Sequence, residues 1–395
     1  MEKAILSEAQ LEGAILNEAQ LEGAVLIKAK LEQAQLIAAQ LKGADFSQAE
    51  LQGASLLRAQ LQGAHMWMAQ LQGAILERTQ LEGADFGGAH MEGVHLIKAQ
   101  LKGADFGGTH MEGALLMEAQ IEGADFGGTH MEGALLMEAQ IEGADFSQAQ
   151  LKGVNFSQAQ LKGVNFSQAQ LEGAILNEII LADEHGVGPR LVDAQWGNTN
   201  LTVVDWSQMS ILGDEHEAQQ KISDEEKKDK NARLHKYRIA VRSNRQLAVV
   251  LQAQGLNEDA ARFAYRAQAL QRNVSWLQMI QPKISVRKRI QALGIWFFSW
   301  FLFLLAGYGY KPGRSFLAYL MVIGTFTALY LLLNPYLAWY EAIVVSMTAF
   351  HGRGFSPSTF SPGDPLSIAS AVEAFVGLII EVTFIATLTR RFFGQ

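Results

Sequence analysis

The chain has 395 residues, of which 49% are hydrophobic and 18% are charged, with 37 Gly, 7 Pro and no Cys. The absence of Cys excludes a disulfide scaffold, a thiolate metal site and a cysteine nucleophile, and a formal charge of −8 argues against a general nucleic-acid binder. Residues 1–180 carry 10 Lys and Arg against 23 Asp and Glu, whereas residues 181–395 carry 22 against 17, which indicates two dissimilar halves.

The first half is a five-residue repeat. Every fifth residue from Ala4 to position 174 is Ala, Thr or Val, and the residue two places later is Leu, Phe, Met or Ile at all 35 positions from Leu6 to Leu176. An α-helix cannot keep a five-residue stripe on one face, whereas a coil that turns a corner every five residues can. Because residues 105–124 recur identically at 125–144, we expect a unit of 20 residues, with four pentapeptides per coil.

The 20-residue period predicts columns of stacked side chains inside the coil. One predicted column consists of Phe46, Met66, Phe86, Phe106, Phe126, Phe146 and Phe166. With the motif Ala-Asp-Phe at 44–46, 84–86, 104–106, 124–126 and 144–146, residues 3–178 resemble the pentapeptide-repeat family. The resemblance implies a right-handed quadrilateral β-helix of about nine coils, with the Leu or Phe positions and the Ala positions inside.

The end of the β-helix is predicted from a change in the repeat. The pattern lapses at 179–190 and resumes as far as Ile211, with Trp196 and Trp206 at inward positions. A solenoid must cover its exposed hydrophobic end, and we interpret these two large side chains as that cap. The predicted β-helix with its cap covers residues 1–212 and is called the rod.

Two further segments precede the last third of the chain. Residues 213–232 contain the run Asp-Glu-Glu-Lys-Lys-Asp-Lys and are predicted to be a charged, exposed linker. Residues 233–282 are predicted to be a helical hairpin, whose small residues resemble half of a tetratricopeptide unit. We interpret the hairpin as a spacer or assembly surface, with peptide binding as the alternative.

Three histidines, His90, His110 and His130, recur every 20 residues, so we expect a ladder on one outer face of the rod. We interpret it as a solvated face copied by duplication, because no other ligand type converges there. A metal-binding or pH-sensing ladder is the alternative.

The acidic surface of the rod favours an alternative function for the rod, since some pentapeptide-repeat proteins mimic DNA and occupy DNA gyrase. We predict no metal, no cofactor and no nucleic-acid partner.

The last third of the chain is predicted to lie in a membrane. A helix over 291–309 contains an aromatic apolar stretch shorter than the ~20 residues that span hydrocarbon, and we expect it in the interface. An outer helix over 315–334 and an inner helix over 366–391 are long enough to span. With two spans, all basic clusters lie on one side, as the positive-inside rule requires. We therefore expect a multi-pass protein of the plasma membrane, with the rod and the carboxyl terminus in the cytoplasm.

Between the two predicted spans, residues 338–356 contain a short apolar helix followed by a Gly-x-Gly turn. This layout, over about residues 315–393, resembles the potassium-channel superfamily. The resemblance implies four chains around one axis and a carbonyl-lined selectivity filter, here formed by Phe350, His351, Gly352, Arg353, Gly354 and Phe355. Because the residues around the two glycines differ from the family's Thr-Val-Gly-Tyr-Gly, potassium selectivity is not implied.

The predicted pore domain, residues 283–395, contains three acidic residues in its apolar segments: Glu341 on the pore helix and Glu373 and Glu381 on the inner helix. A charge inside a span costs several kcal/mol unless it is paired or hydrated. The resemblance places Arg353 behind the filter, so we expect it to pair with Glu341 or Glu373. For Glu381, a ring of water-facing carboxylates in the pore and a structural ion pair are both open.

The spacing along the inner helix is also informative. Glu373, Gly377 and Glu381 are four residues apart and share one helix face, and Gly377 is the predicted hinge of this helix. In an alternative arrangement, Arg353 and His351 face the pore and make it anion-permissive or closed.

No phosphate loop, metal-ligand cluster or nucleophile–base pair is evident in the sequence, so we expect no enzymatic activity. The sequence predicts a multidomain β + α membrane protein: a homotetrameric ion channel in a lipid bilayer, with a cation as the permeant ion. The rod is expected to regulate or assemble the channel, or to bind a cytoplasmic protein. The alternatives are a membrane-anchored scaffold that does not conduct ions and a gyrase-binding DNA mimic.

Overall fold

The structure is a computed structural model that describes residues 3–220, 230–280, 286–309, 312–352 and 364–393. The chain forms two compact units, Met1–Phe263 and Ala264–Gln395. The first unit extends beyond the boundary predicted after residue 212, because the helical segment that follows the rod packs against the end of the rod.

The rod is a quadrilateral β-helix with 20 residues per coil. Parallel bridges join each coil to the next at four points, and the bridges of the first coil pair Ile5 with Val25, Gln10 with Lys30, Ile15 with Gln35 and Gln20 with Gln40. Backbone hydrogen bonds hold each bridge, as from Val25 N to Ala4 O (2.9 Å) and from Leu6 N to Val25 O (2.7 Å). The predicted period and the β-helical fold are confirmed.

Each corner of the rod is a tight turn closed by one hydrogen bond, as from Ala9 N to Leu6 O (3.1 Å). The residue before each Ala position has a positive φ, for example +57° at Glu8 and +63° at Gly13. Glycine adopts this conformation freely, whereas other residues lose about 1 kcal/mol. Glycine fills about half of the corners, which explains the glycines that follow the inward Leu positions in the sequence.

The core of the rod consists of stacked columns of buried side chains. Phe86, Phe106 and Phe126 are fully buried, and their ring centroids lie 4.8 and 4.7 Å apart in nearly parallel planes. This separation matches the ~4.8 Å between neighbouring strands of a sheet. Each ring therefore stacks on its equivalent one coil later, which confirms the predicted column.

The last coil of the rod is longer than the others. Gln170 bridges with Gln195, which is 25 rather than 20 residues later. The additional residues form a turn in which the Asp183 carboxylate accepts hydrogen bonds from the backbone amides of His185 (2.9 Å) and Val187 (2.8 Å). The lapse in the repeat is therefore an inserted turn, after which the coil continues in register.

Two 3₁₀ turns, Leu201–Val203 and Trp206–Gln208, follow the last coil, and helix α1 spans Gly213–Gln219. The prediction of an exposed linker over 213–232 is wrong for this helix, because Asp214 and Glu215 are each only 3% exposed. A run of charged residues here forms a buried contact with the rod, which the charge pattern alone does not reveal. Residues 221–229 lie outside the described part of the chain.

Helix α2 spans Lys230–Ala253 and helix α3 spans Asn257–Met279, where the sequence predicts the two helices of a hairpin. Between them Gly255 has a φ of +81°. The side chain of Gln254 donates to Thr199 O and accepts from Leu201 N, both at 2.8 Å. The amide thus satisfies backbone groups at the end of the rod that have no further coil to pair with.

The part of the second unit that the structure describes contains four further helices: α4 (Val286–Ala306), α5 (Pro312–Leu333), α6 (Trp339–Phe350) and α7 (Pro365–Phe393). Helices α5 and α7 agree with the predicted outer and inner helices to within three residues. Helix α4 begins five residues before its predicted start, and a 3₁₀ turn over Gly307–Gly309 ends it. Helices α5, α6 and α7 pack against one another.

Among the described residues, two helical segments, Gly313–Leu333 and Pro365–Thr389, are long and apolar enough to cross a membrane, and Arg289–Leu305 is a shorter apolar helix. The short segment corresponds to the stretch for which the sequence predicts an interfacial position. Two such helices agree with the predicted number of spans.

Candidate functional site

The candidate site lies where α5, α6 and α7 meet, around the fully buried side chain of Glu373 on α7. Its Oε2 accepts a hydrogen bond from the Tyr330 hydroxyl of α5 (2.6 Å), and its Oε1 accepts one from the Ser346 hydroxyl of α6. Both donors are themselves fully buried. Since a buried acidic group without partners is costly, these two hydroxyls hold three helices together at one point.

Small residues allow α6 to approach its neighbours closely. The buried face of α6 consists of Ala342, Ser346, Ala349 and Phe350, and small side chains at this spacing bring helix backbones together. The Ser346 hydroxyl also lies 3.1 Å from Ile323 O of α5. The helix is therefore fixed along its length as well as at the carboxylate.

The structure gives Glu341 a role at the start of α6. Its Oε2 accepts a hydrogen bond from Ala338 N (3.1 Å), so the side chain caps the helix. Arg353 lies outside the described residues, and its pairing with Glu341 or Glu373 stays a prediction. The described partners of Glu373 are two hydroxyl groups.

The carboxyl end of α6 falls within the predicted filter. Phe350 is the last residue of α6 and is 1% exposed, with its ring 4.8 Å from that of Tyr319. Gly352 has a φ of +67° and donates its amide to Ala349 O (2.9 Å), which ends the helix. Phe350 is thus a helical packing residue, whereas Gly352 forms a turn. The other predicted filter residues, Arg353, Gly354 and Phe355, lie outside the described part of the chain.

Gly377 of α7 lies directly against the end of α6. A Cβ atom at this position would be 2.1 Å from Phe350 O and 2.9 Å from Phe350 C. Helix α7 continues through Gly377 without a break. The structure therefore explains this glycine by a close contact between two backbones, and its role as a hinge stays a prediction.

Glu381, one turn further along α7, pairs through Oε1 with Nδ1 of His351. Both side chains are partly exposed, at 44% for His351 and 36% for Glu381. Glu373, Gly377 and Glu381 thus lie on one face of α7, as their spacing predicts. This face contacts α6 at Ser346 and Phe350 and then His351, the residue that follows the helix.

Large apolar side chains cover the outward faces of α5 and α7. Only 6% of the α5 span and 22% of the α7 span are buried within the chain. Exposed residues of this kind include Phe316, Leu317, Leu320, Met321, Val372, Phe375, Leu378 and Val382. A water-soluble monomer rarely exposes so much contiguous apolar surface, so these faces are candidates for contact with lipid or with other protein chains.

The predicted cap residues lie at the end of the rod. Trp196 is 8% and Trp206 is 3% exposed. The Trp206 indole donates to Leu201 O (3.1 Å), and its ring packs edge-on against Phe263 at 6.2 Å. Arg262 donates to Trp206 O (2.6 Å), so the amino-terminal turns of α3 also contact this end.

Asp214 of α1 lies in the same region. Its Oδ2 accepts a hydrogen bond from Leu191 N (2.8 Å). Burial raises the pKa of Asp214 from 3.8 to about 6, and the hydrogen bond from Leu191 opposes this shift. The position of this side chain therefore makes the stability of the rod end dependent on pH.

The histidine ladder is present on one outer face of the rod. His90, His110 and His130 are joined by successive bridges, and the ring centroids lie 5.0 Å apart for the first pair and 4.6 Å for the second. The Nδ1 atoms of His110 and His130 lie 3.5 and 3.9 Å from Oε1 of Glu112. The structure thus adds a glutamate that the ladder spacing does not indicate.

Sequence reasoning missed Tyr330 and Ser346 as partners of Glu373. Both are hydroxyl residues within apolar helices. The sequence does not distinguish them from the other hydroxyl residues of α5 and α6. The signal that was available is chemical: a buried acid requires donors, and only the neighbouring helices supply them. The sequence shows that a glutamate follows each ladder histidine by two residues, at Glu92, Glu112 and Glu132, but only the structure shows that Glu112 meets two histidines.

A family model described as pentapeptide repeats matches residues 4–39, 39–78, 74–113, 114–153 and 139–177, in eight copies. The matched segment is somewhat less than half of the chain. A comparison with curated protein sequences gives no match.

Several solved structures are similar to the chain. HetL, a pentapeptide repeat protein involved in heterocyst differentiation regulation in Nostoc sp. strain PCC 7120, is 28% identical over 49% of this chain and 87% of HetL, with a TM-score of 0.26. QnrB1, a plasmid-mediated fluoroquinolone resistance protein, is 21% identical over 40% of this chain and 87% of QnrB1, with a TM-score of 0.33. Rfr23, a pentapeptide repeat protein of Cyanothece 51142, is 23% identical over 32% of this chain and 90% of Rfr23, with a TM-score of 0.17.

Proposed function

We propose that this protein, whose residues 4–177 are pentapeptide repeats, forms an ion channel in a cell membrane. The second unit supplies the pore, and the rod is a cytoplasmic domain that regulates or assembles it. The proposal rests on the chemistry of the second unit. The repeats determine the fold of the rod, but they do not determine what the rod binds.

The observation that carries the proposal is the fixed position of α6. This short helix lies against two helices of membrane length, its second half is held by Glu373 and by the backbone contact at Gly377, and the residue after it, His351, pairs with Glu381. In a membrane, non-helical backbone is tolerated only within protein or beside water. A short helix anchored in this way supports the proposal of a pore loop, because a pore loop needs a fixed helix beside it.

The electrostatics at the end of α6 favour a cation. The carboxyl end of a helix carries a partial negative charge from its unpaired carbonyl groups. Glu381 adds a partly exposed carboxylate beside this end, paired with His351. Ion channels stabilise permeant cations with carbonyl dipoles and acidic side chains of this kind.

The exposed apolar faces of α5 and α7 support an oligomer in a bilayer. A single chain with two spans cannot enclose a pore, so several copies are needed around one axis. A homotetramer follows from the resemblance to the potassium-channel superfamily. In this arrangement part of the exposed surface of α7 contacts neighbouring copies, and the remaining apolar surface contacts lipid.

Recording from planar bilayers tests the proposal. The full-length chain, purified and reconstituted as an intact tetramer, is expected to conduct, and the sign of the reversal potential in a KCl gradient is expected to be that of a cation-selective pore. Glu381→Gln is expected to lower the conductance or the cation preference, and Gln120→Asn, at an exposed position of the rod, serves as a control that changes no charge. An intact tetramer without current in any voltage range contradicts the proposal.

A membrane-anchored scaffold is the function that such an absence of current would support.

The gyrase-directed DNA mimic has one observation in its favour, a column of carboxylates in successive coils formed by Asp85, Asp105, Asp125 and Asp145. Inhibition of gyrase supercoiling by the full chain at micromolar concentration would support it, and unchanged supercoiling would exclude it.

A further inference from the structure

We infer that His110, Glu112 and His130 form a binding site for a divalent transition-metal ion of the Zn²⁺ class on the outer face of the rod. The site uses no residue of the second unit, so it is independent of the proposed channel. It joins two successive coils, since His110 and Glu112 belong to one coil and His130 to the next.

The distances between the ligand atoms fit one ion. One ligand atom from each of the three side chains lies within 4.8 Å of the other two. Tetrahedral coordination with bonds of about 2.1 Å separates ligand atoms by about 3.4 Å. Oε1 of Glu112 already lies 3.5 Å from Nδ1 of His110 and 3.9 Å from Nδ1 of His130, so small side-chain rotations bring all three atoms to an ion.

The chemistry of the three ligands selects the class of ion. Two imidazoles and one carboxylate are the ligands of many zinc sites that keep one position open for water. Imidazole nitrogen is a poor ligand for Mg²⁺ and Ca²⁺, which prefer oxygen, and a good one for Zn²⁺, Cu²⁺ and Ni²⁺. The ligand side chains are 36–38% exposed, so an ion has access from solvent.

Gln150 supplies an outer partner for His130. Its amide nitrogen lies 3.1 Å from Nε2 and 3.4 Å from Nδ1 of His130, and rotation of the amide by 180° places its oxygen nearest Nε2 instead. The oxygen then accepts the Nε2 proton, which leaves the lone pair on Nδ1, the atom that lies 3.9 Å from Oε1 of Glu112. Partners that fix a histidine in this way are a regular feature of metal sites.

The backbone of the rod fixes the ligands before an ion arrives. His110 and His130 occupy equivalent bridge positions in adjacent coils, so the coil spacing sets the distance between the two rings. The other oxygen of Glu112 is buried, so the surrounding atoms limit the rotation of the carboxylate. The equivalent oxygens of Glu92 and Glu132 are also buried, so this burial is a property of this position in the 20-residue repeat.

The tilt of His130 distinguishes this set from its neighbour. His90 and His110 stack with an angle of 9° between their rings, whereas His110 and His130 form an angle of 45°. The tilt brings Nδ1 of His130 toward the glutamate of the preceding coil. Elsewhere on the rod, His95 lies 3.7 Å from Glu77 and offers a histidine–glutamate pair without a second imidazole.

Zinc binding to the full-length chain tests the inference. The protein is purified in detergent without a histidine tag, dialysed against ZnCl₂ at micromolar concentration and analysed for bound metal. We expect one Zn²⁺ per chain, and at least about 100-fold weaker binding in His110→Gln and in Glu112→Gln, because loss of a ligand exceeds the 10- to 100-fold effect of losing an outer partner. Gln150→Ala is expected to weaken binding about 10-fold.

The variants are matched to the repeat. Glutamine occurs naturally in the column of His110 at Gln70 and Gln150, and in the column of Glu112 at Gln52 and Gln72, so both substitutions preserve the β-helix. Unchanged circular dichroism verifies this.

His95→Gln is the control, since it removes a histidine–glutamate pair of similar exposure on another face, and we expect it to retain one Zn²⁺ per chain. Co²⁺ absorption in the visible range provides a second readout of the ligand set. Stoichiometric binding that survives His110→Gln, or no binding by the unaltered chain, would overturn the inference.

Discussion

Gly377→Ala is expected to disrupt the packing of α6 against α7. The added methyl group would lie 2.1 Å from Phe350 O, 2.9 Å from Phe350 C and 3.1 Å from the Phe350 ring. Two of these contacts are with backbone atoms, which cannot rotate away as a side chain can. The helices must therefore move apart by about 1 Å to reach an ordinary contact distance.

The expected cost follows from what this movement disturbs. Inserting a methyl group into a packed core costs about 1–3 kcal/mol. The upper end applies here, because the same displacement lengthens the hydrogen bonds of Glu373 with Ser346 and of Glu381 with His351. We expect a loss of about 3 kcal/mol in the stability of the second unit, or a fall of about 10 °C in its unfolding midpoint.

Gly324→Ala on α5 is the matched control. A Cβ atom at this position meets no atom of the described residues within 4 Å, and alanine favours a helix over glycine by up to about 1 kcal/mol. Thermal unfolding of the full chain in detergent, followed by size-exclusion chromatography, measures both variants. Equal midpoints for Gly377→Ala and Gly324→Ala would refute the packing argument, and altered gating at an unchanged midpoint would favour the hinge.

Three further substitutions test other parts of the structure. Tyr330→Phe removes a 2.6 Å hydrogen bond to buried Glu373 and is expected to cost about 1.5–3 kcal/mol, with a smaller effect when Glu373 is already Gln in a double-mutant cycle of thermal stability. Asp214 has a pKa raised from 3.8 to about 6, so the folded state binds more protons between these values and stability falls by up to about 3 kcal/mol as pH rises from 4 to 7. Denaturant unfolding at both pH values is expected to show a smaller fall in Asp214→Asn, and an equal fall would contradict the assignment. Gly143→Ala, at a corner with a φ of +69° and an open surrounding, is expected to cost about 1 kcal/mol in the same assay.

The fold of the rod could be predicted from the sequence because its pattern is local. Each pentapeptide places one small and one large apolar residue inside, as Ala44 and Phe46 do, and the same requirement returns every five residues. The 20-residue duplication then specifies which side chains stack. The positions of α5 and α7 were predictable for a similar reason, since an apolar run of sufficient length is visible without knowledge of its neighbours.

The partners of individual polar residues could not be predicted in the same way. Glu373 was expected to pair with a charged side chain, yet its described partners are the hydroxyls of Tyr330 and Ser346, 43 and 27 residues away. The charged segment at α1 was expected to be exposed, yet Asp214 is buried against Leu191. In both cases the charge is visible in the sequence, but its environment depends on segments distant along the chain.

The uneven charge, the five-residue period, the corner glycines and the two long apolar runs followed from the sequence alone, because each depends on residue type and spacing along the chain. Only the tertiary structure decided that Gly377 accommodates Phe350 O, that one face of α7 contacts α6 and His351 at three points, and that Glu112 meets His110 and His130. These features depend on distances between segments that no spacing encodes, since packing selects one neighbour among many residues of the same type.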